Sequence, residues 1–165
     1  LEVGCGTGGT AIRLAPGVAQ WTATDFSAEM VKIAKAKPSG GNVRFVVSDV
    51  SNAFDGGPFD AICAFNVLHL VDDLPEMLTR IHAHLKPGGQ LICKTWCFAD
   101  VNWALRALFP VLRVFGLFPV AASFGATQLR QSIRDAGFEI VDEHLFGDYT
   151  QNPYIVACKH GQIVA

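Results

Sequence analysis

Short apolar runs alternate with segments whose apolar residues recur every three or four positions, a pattern that predicts strand and helix units joined as parallel crossovers. Leu1 to Val3 reads as the tail of a strand that enters Gly4-Cys5-Gly6-Thr7-Gly8-Gly9, ahead of a helical run through Ile12 and Leu14. Gln20 to Asp25 is a second strand, and Ser27 is placed to cap a helix carrying Met30, Val31, Ile33 and Ala34, which Pro38-Ser39-Gly40-Gly41 stops. Val43 to Ser48 and Phe59 to Phe65 are near-continuous apolar runs, as expected of strands covered on both faces. Leu74, Met77, Leu78, Ile81 and Leu85 make one helical stripe, broken by Lys86-Pro87-Gly88-Gly89 before a fifth strand, Gln90 to Lys94.

After an insert over 100–125, Thr127 is expected to cap a helix with Leu129, Ile133 and Ala136, which Gly137 ends. Strands Phe138 to His144 and Pro153 to Lys159 follow, and their short connection forces them to run antiparallel if they pair. The expected fold is α/β: a doubly wound, Rossmann-like, seven-stranded and mostly parallel sheet with an antiparallel last strand, in a three-layer αβα sandwich. One domain over 1–165 is the expectation, since a chain of this length with 50% hydrophobic residues supplies one core.

Charge and cysteine spacing narrow the partners. A formal net charge of -2 offers no basic surface for a nucleic acid backbone or an anionic membrane. Cys5, Cys63, Cys93, Cys97 and Cys158 lie mostly in apolar runs without C-x-x-C spacing, and His82 and His84 diverge on a helix, so no metal site is expected. No secretion signal is visible, which makes a reducing cytoplasm the expected compartment. The apolar stretch from Leu105 to Phe124 carries Arg106, Arg113, Pro110 and Pro119. A central arginine alone costs about 2.5–3.5 kcal/mol on insertion scales, so no transmembrane span is expected.

The glycine turn is the sharpest chemical signal. Residues without side chains let backbone N–H groups approach a ligand at a helix N-terminus, and Gly4, Gly6 and Gly9 fit G-x-G-x-x-G, a pattern shared by several adenosine-bearing cofactors. Asp25 and Asp49 end the second and third strands, in the crevice where a doubly wound sheet binds ligands. A carboxylate at Asp25 can accept ribose hydroxyls or cap the next helix. Asp49 can accept from an adenine amino group or hold the turn before Ser51-Asn52.

With these motifs in order, LEVGCGTGGTAIRLA, ATDFSAEMVKIAKAK, VRFVVSDV, FDAICAFNVLHLVDD, LKPGGQLICKT and ATQLRQSIRDAGFEIV, the chain resembles the class I S-adenosylmethionine-dependent methyltransferases of the small-molecule type. The resemblance implies sheet order 3-2-1-4-5-7-6 and S-adenosylmethionine as cofactor. It places Glu2 and the turn from Gly4 through Cys5, Gly6 and Thr7 to Gly8 around the methionine part. Asp25 falls on the ribose, Asp49 near adenine, and Phe26, Met30 and Val50 beside the adenine ring. Asn66, Val67 and Leu68 would hold the cofactor's amino end and face the substrate. The family also has helices and the start of its first strand ahead of the position of Leu1, so the resemblance implies a truncated N-terminus.

His69 lies just beyond, where an imidazole could take a proton from an acceptor or serve as a structural residue. The insert carries Trp103, Arg106 and Arg113 among apolar residues, and reads equally as a lid over an apolar, small-molecule acceptor or as plain cover for the sheet. Two other readings remain: a non-catalytic cofactor- or partner-binding module, and an NAD-dependent oxidoreductase.

Overall fold

The computed structural model describes residues 1–49, 52–103, 123–146 and 150–160. Its elements in chain order are β1 (Glu2–Val3), α1 (Gly9–Leu14), β2 (Trp21–Asp25), α2 (Ala28–Lys35), β3 (Val43–Val47), β4 (Phe59–Phe65), α3 (Leu74–His84), β5 (Leu85–Lys94), α4 (Ala126–Asp135), β6 (Phe138–His144) and β7 (Tyr154–Lys159). The seven strands form one sheet in the order β3-β2-β1-β4-β5-β7-β6. The pairs from β3 to β5 are parallel, and β7 runs antiparallel to both β5 and β6. The α/β fold, its strand order and its antiparallel last strand are those expected.

Alternation along the central strands separates two cores. Ile62 and Ala64 of β4, with Leu91 and Cys93 of β5, join Leu78 and Ile81 of α3 and Leu129 and Ile133 of α4. Cys63 of β4, flanked by half-buried Phe65 and Ile92, joins Ala11 of α1, Val31 and Ala34 of α2 and Phe45 of β3. Successive side chains of a strand point to opposite faces, so helices cover both.

Local chemistry sets the helix starts. Ser27 caps α2 by accepting from Met30 N, and Asp73 caps α3 by accepting from Glu76 N at 2.8 Å. Two expectations are corrected. Thr127 does not cap α4: the helix begins at Ala126 after Gly125, and Ala126 N donates to Asp100 Oδ2 at 2.6 Å. The cap comes from a carboxylate distant in sequence, which leaves Thr127 inside the first turn. The fifth strand starts at Leu85, not Gln90, because Leu85 pairs with Phe59 and a register shift before Ala61 absorbs the Lys86-Pro87-Gly88-Gly89 segment. Gly88 takes φ +76°, and a Cβ on Gly89 would stand 2.9 Å from Lys86 O. The breaker is thus a bulge within the strand.

Trp103 is 79% exposed. Arg106 and Arg113 of the expected insert lie outside the described residues, as does Val50. Among the described residues no helix is long and apolar enough to cross a membrane.

Candidate functional site

Strand β1 lies between β2 and β4, so its carboxyl end delivers the glycine turn to the middle of the sheet edge. Gly4, Gly6 and Gly8 adopt φ of +72°, +52° and +77°, backbone that side chains disfavour. Their surroundings differ. A Cβ on Gly4 would stand 2.7 Å from Val67 Cγ2, and one on Gly8 would stand 2.7 Å from Phe45 Cε1 and 2.9 Å from Ala34. A Cβ on Gly6 would meet nothing within 4 Å among the described residues. The turn is therefore wedged against the protein at its two ends and open in the middle.

Asp25 ties the turn to β2. It is 8% exposed, and its Oδ2 accepts from Gly6 N at 2.8 Å while Oδ1 accepts from Ser27 N at 2.9 Å. Each oxygen retains acceptor capacity for a further donor. Lys37, just past α2, adds a tether that the sequence reading missed, donating from Nζ to Thr7 O at 2.7 Å. Its signal was a lone cation between helix and loop, which has no characteristic spacing. Phe26 and Met30 stand next to Asp25 with 76% and 42% of their surface exposed. Asp49 is exposed and holds its own turn, with Oδ1 accepting from Asn52 N and Nδ2 at 2.9 and 3.1 Å.

Glu2 is placed differently from the rest. Its side chain is 2% exposed, and Oε2 accepts from the indole Nε1 of Trp21 at 3.1 Å. Burial pushes its pKa up to about 7, against the lowering effect of the Trp21 hydrogen bond. Its carboxylate braces β1 against β2 while its backbone leads into the turn. Cys5 is buried, and its N donates to Thr24 O at 2.9 Å.

The segment after β4 closes the site from the other side. Asn66, exposed and at φ +54°, donates its N–H to Lys94 O at 2.7 Å, a left-handed non-glycine residue of the kind that gathers at functional sites. Val67 abuts Gly4, and Leu68 is fully buried. His69 is 6% exposed, with Nδ1 3.0 Å from the hydroxyl of Thr95 and its ring edge-on to Phe98 at 5.4 Å between centroids. Burial lowers its pKa from the ordinary histidine value. Thr95 and Phe98 also escaped the sequence reading, since only the adjacency of β4 and β5 brings them to His69.

A second concavity, about 490 Å³, opens at the opposite end of the sheet between Trp21, Arg44, Phe59, Asp60 and Lys86. It contains none of the turn's glycines, and ligands of doubly wound sheets bind at the carboxyl ends of the strands. The glycine turn is therefore the candidate site.

A family model described as a methyltransferase domain matches residues 1–89. The chain belongs to that methyltransferase family. It is 31% identical over 164 residues to the hybrid PKS-NRPS synthetase apdA of Emericella nidulans, covering 86% of this chain and 4% of that protein. It is 32% identical over 97 residues to an uncharacterized methyltransferase of Mycobacterium bovis, covering 58% of this chain and 49% of the relative. The methyltransferase domain thus spans about half the length of the bacterial relative and a small part of the synthetase. Its fold is similar to the S-adenosylmethionine dependent methyltransferase of Mesorhizobium loti, with a TM-score of 0.77 at 18% identity over 95% of this chain and 88% of that one.

Proposed function

We propose that this methyltransferase domain moves a methyl group from S-adenosylmethionine to a small-molecule acceptor in the crevice above β1, β2 and β4. The observation that carries the reading is the turn itself, open over Gly6 and stapled from beneath by the Asp25 carboxylate. The residues fit the cofactor: Gly6 leaves room for close backbone approach, Asp25 keeps acceptor capacity for two ribose hydroxyls, and exposed Phe26 and Met30 offer an apolar wall for adenine. Gly4 and Gly8, with the backbone of Asn66, Val67 and Leu68, would enclose the methionine part, and Asp49 retains an oxygen for the adenine amino group. When bound, the cofactor supplies a methyl group already activated on a sulfonium.

The protein's own contribution is alignment of an in-line displacement, which needs fixed positions more than reactive side chains. The loop from Asn66 to His69, held by Gly4 and Lys94, fixes one wall of the acceptor's place. Leu70, exposed beside His69, favours an apolar acceptor, and the net charge of -2 disfavours nucleic acid. Five free cysteines suit a reducing cytoplasm.

Calorimetric titration with S-adenosylhomocysteine, with NAD in parallel, tests the proposal. Binding of the former alone is the expected result, and Asp25→Ala weakens it by about ten-fold or more through loss of charge-assisted hydrogen bonds. Binding of NAD alone overturns the reading.

A further inference from the structure

Thr95 follows β5 and is fully buried, and its Oγ1 lies 3.0 Å from His69 Nδ1. A hydroxyl and a neutral imidazole each bring one proton, so the contact has two possible arrangements. If Nδ1–H donated to the oxygen, the Thr95 proton would have no acceptor, because His69 is the one hydrogen-bond partner of that hydroxyl among the described residues. A buried donor left unpaired loses its hydration without compensation. If instead the hydroxyl donates to a bare Nδ1, every proton is placed. The imidazole proton then sits on Nε2, which has no hydrogen-bond partner among the described residues.

The surroundings disfavour the charged ring. Phe98 stands edge-on to it, and burial lowers its pKa, with no charged neighbour contributing among the described residues. A histidine that acts as a base at Nε2 needs a lone pair there and an Nδ1–H held by an acceptor, the tautomer that a carboxylate partner selects. Here the partner is a hydroxyl whose own proton needs a home.

We infer that Thr95 is a positioning residue that locks His69 with Nε2–H toward the crevice, making His69 a hydrogen-bond donor to an oxygen of the acceptor and not the base that removes its proton. The inference rests on the methyl-transfer reading and narrows its acceptor to a class acidic enough to ionise in water, such as a phenol or a 1,3-dicarbonyl compound. The acceptor's proton leaves to water, its negative oxygen accepts from Nε2–H, and the anion's electron pair forms the new bond to the methyl carbon. The carbon–sulfur bond breaks with its electrons staying on sulfur.

The test needs no cofactor: ¹⁵N–¹H correlation spectra of the histidine-labelled chain at about pH 8, above the neutral imidazole's titration. The His69→Gln variant identifies the His69 signals by their loss. The expected wild-type pattern is a protonated-type Nε2 and a pyridine-type Nδ1. Thr95→Val moves both nitrogens toward averaged positions, and Thr95→Ser restores the single tautomer. A wild-type ring protonated at Nδ1 overturns the inference, as does an unchanged ring in Thr95→Val. The wild-type spectrum decides alone if the valine variant does not fold. Because these spectra are independent of S-adenosylhomocysteine titration, loss of the tautomer and loss of the methyltransferase reading are separate results.

Discussion

The two faces of the sheet are built from different material. Under α3 and α4 the core is long and aliphatic, with Leu78, Ile81, Leu91, Leu129, Ile133 and Ile155 fully buried. Under α1 and α2 it is made largely of small residues, Ala11, Ala15, Ala23 and Ala34, filled in by Val31, Trp21 and Phe45. Small residues let helix and turn backbones approach the strands, which is why a glycine of the turn can rest directly on Phe45 and Ala34. One face supplies bulk stability, and the other gives up some buried area for the close approach that a cofactor turn requires.

Truncation in the aliphatic face is the strongest way to break this division. Leu78→Ala removes a fully buried side chain and leaves a cavity, with an expected loss of about 3–4 kcal/mol in denaturant unfolding. S-adenosylhomocysteine affinity of the folded protein is expected to stay within about three-fold of wild type, a change under 1 kcal/mol. A larger loss of affinity would show that the two faces are coupled.

Glu2 tests the other face, through pH. Its pKa is raised by burial from 4.5 to about 7, so the folded state favours the neutral acid. The stability it contributes is complete below the unfolded value and is lost as pH rises through the folded one. Between about pH 5 and 8 the expected decline is about 2–3 kcal/mol. Glu2→Gln keeps an oxygen for Trp21 Nε1 and removes the ionisation, so its unfolding free energy should stay flat where the wild type falls. Parallel curves for the two proteins would mean that Glu2 ionises freely in the fold.

How much of this was readable beforehand follows from the range of each cause. The strands Phe59–Phe65 and Phe138–His144 occur at the bounds expected from hydrophobic runs alone, because burial acts on consecutive residues. Ser27 was legible as a cap for the same reason, since the cap and the N–H that it accepts from are three residues apart. Asp100 was not, because its bond to Ala126 spans 26 positions and the nearer Thr127 offered a plausible local cap. The candidate site divides similarly. Gly6 and Asp25 announce themselves by motif and strand position, whereas the Thr95 contact of His69 exists only because β5 lies beside β4. Glu2 was legible as a site residue by motif, yet the direction of its carboxylate, toward Trp21, depends on the pairing of β1 with β2.

Gly6→Ala separates stability from binding with the smallest expected effect on the fold. The new methyl group would meet no atom of the described residues within 4 Å, so the expected cost to the fold is backbone strain at φ +52°, about 1–2 kcal/mol. The Gly6 N–H to Asp25 hydrogen bond survives, because alanine keeps its amide. The methyl group instead occupies the open middle of the turn, where close approach of the cofactor would otherwise occur. S-adenosylhomocysteine affinity should therefore fall by about ten-fold or more, the scale of an overpacked contact. A modest unfolding shift with that loss of affinity would mark the open stretch over Gly6 as the ligand's place. A modest shift with affinity intact would move the ligand away from the turn, and the division between the two faces would then concern packing alone.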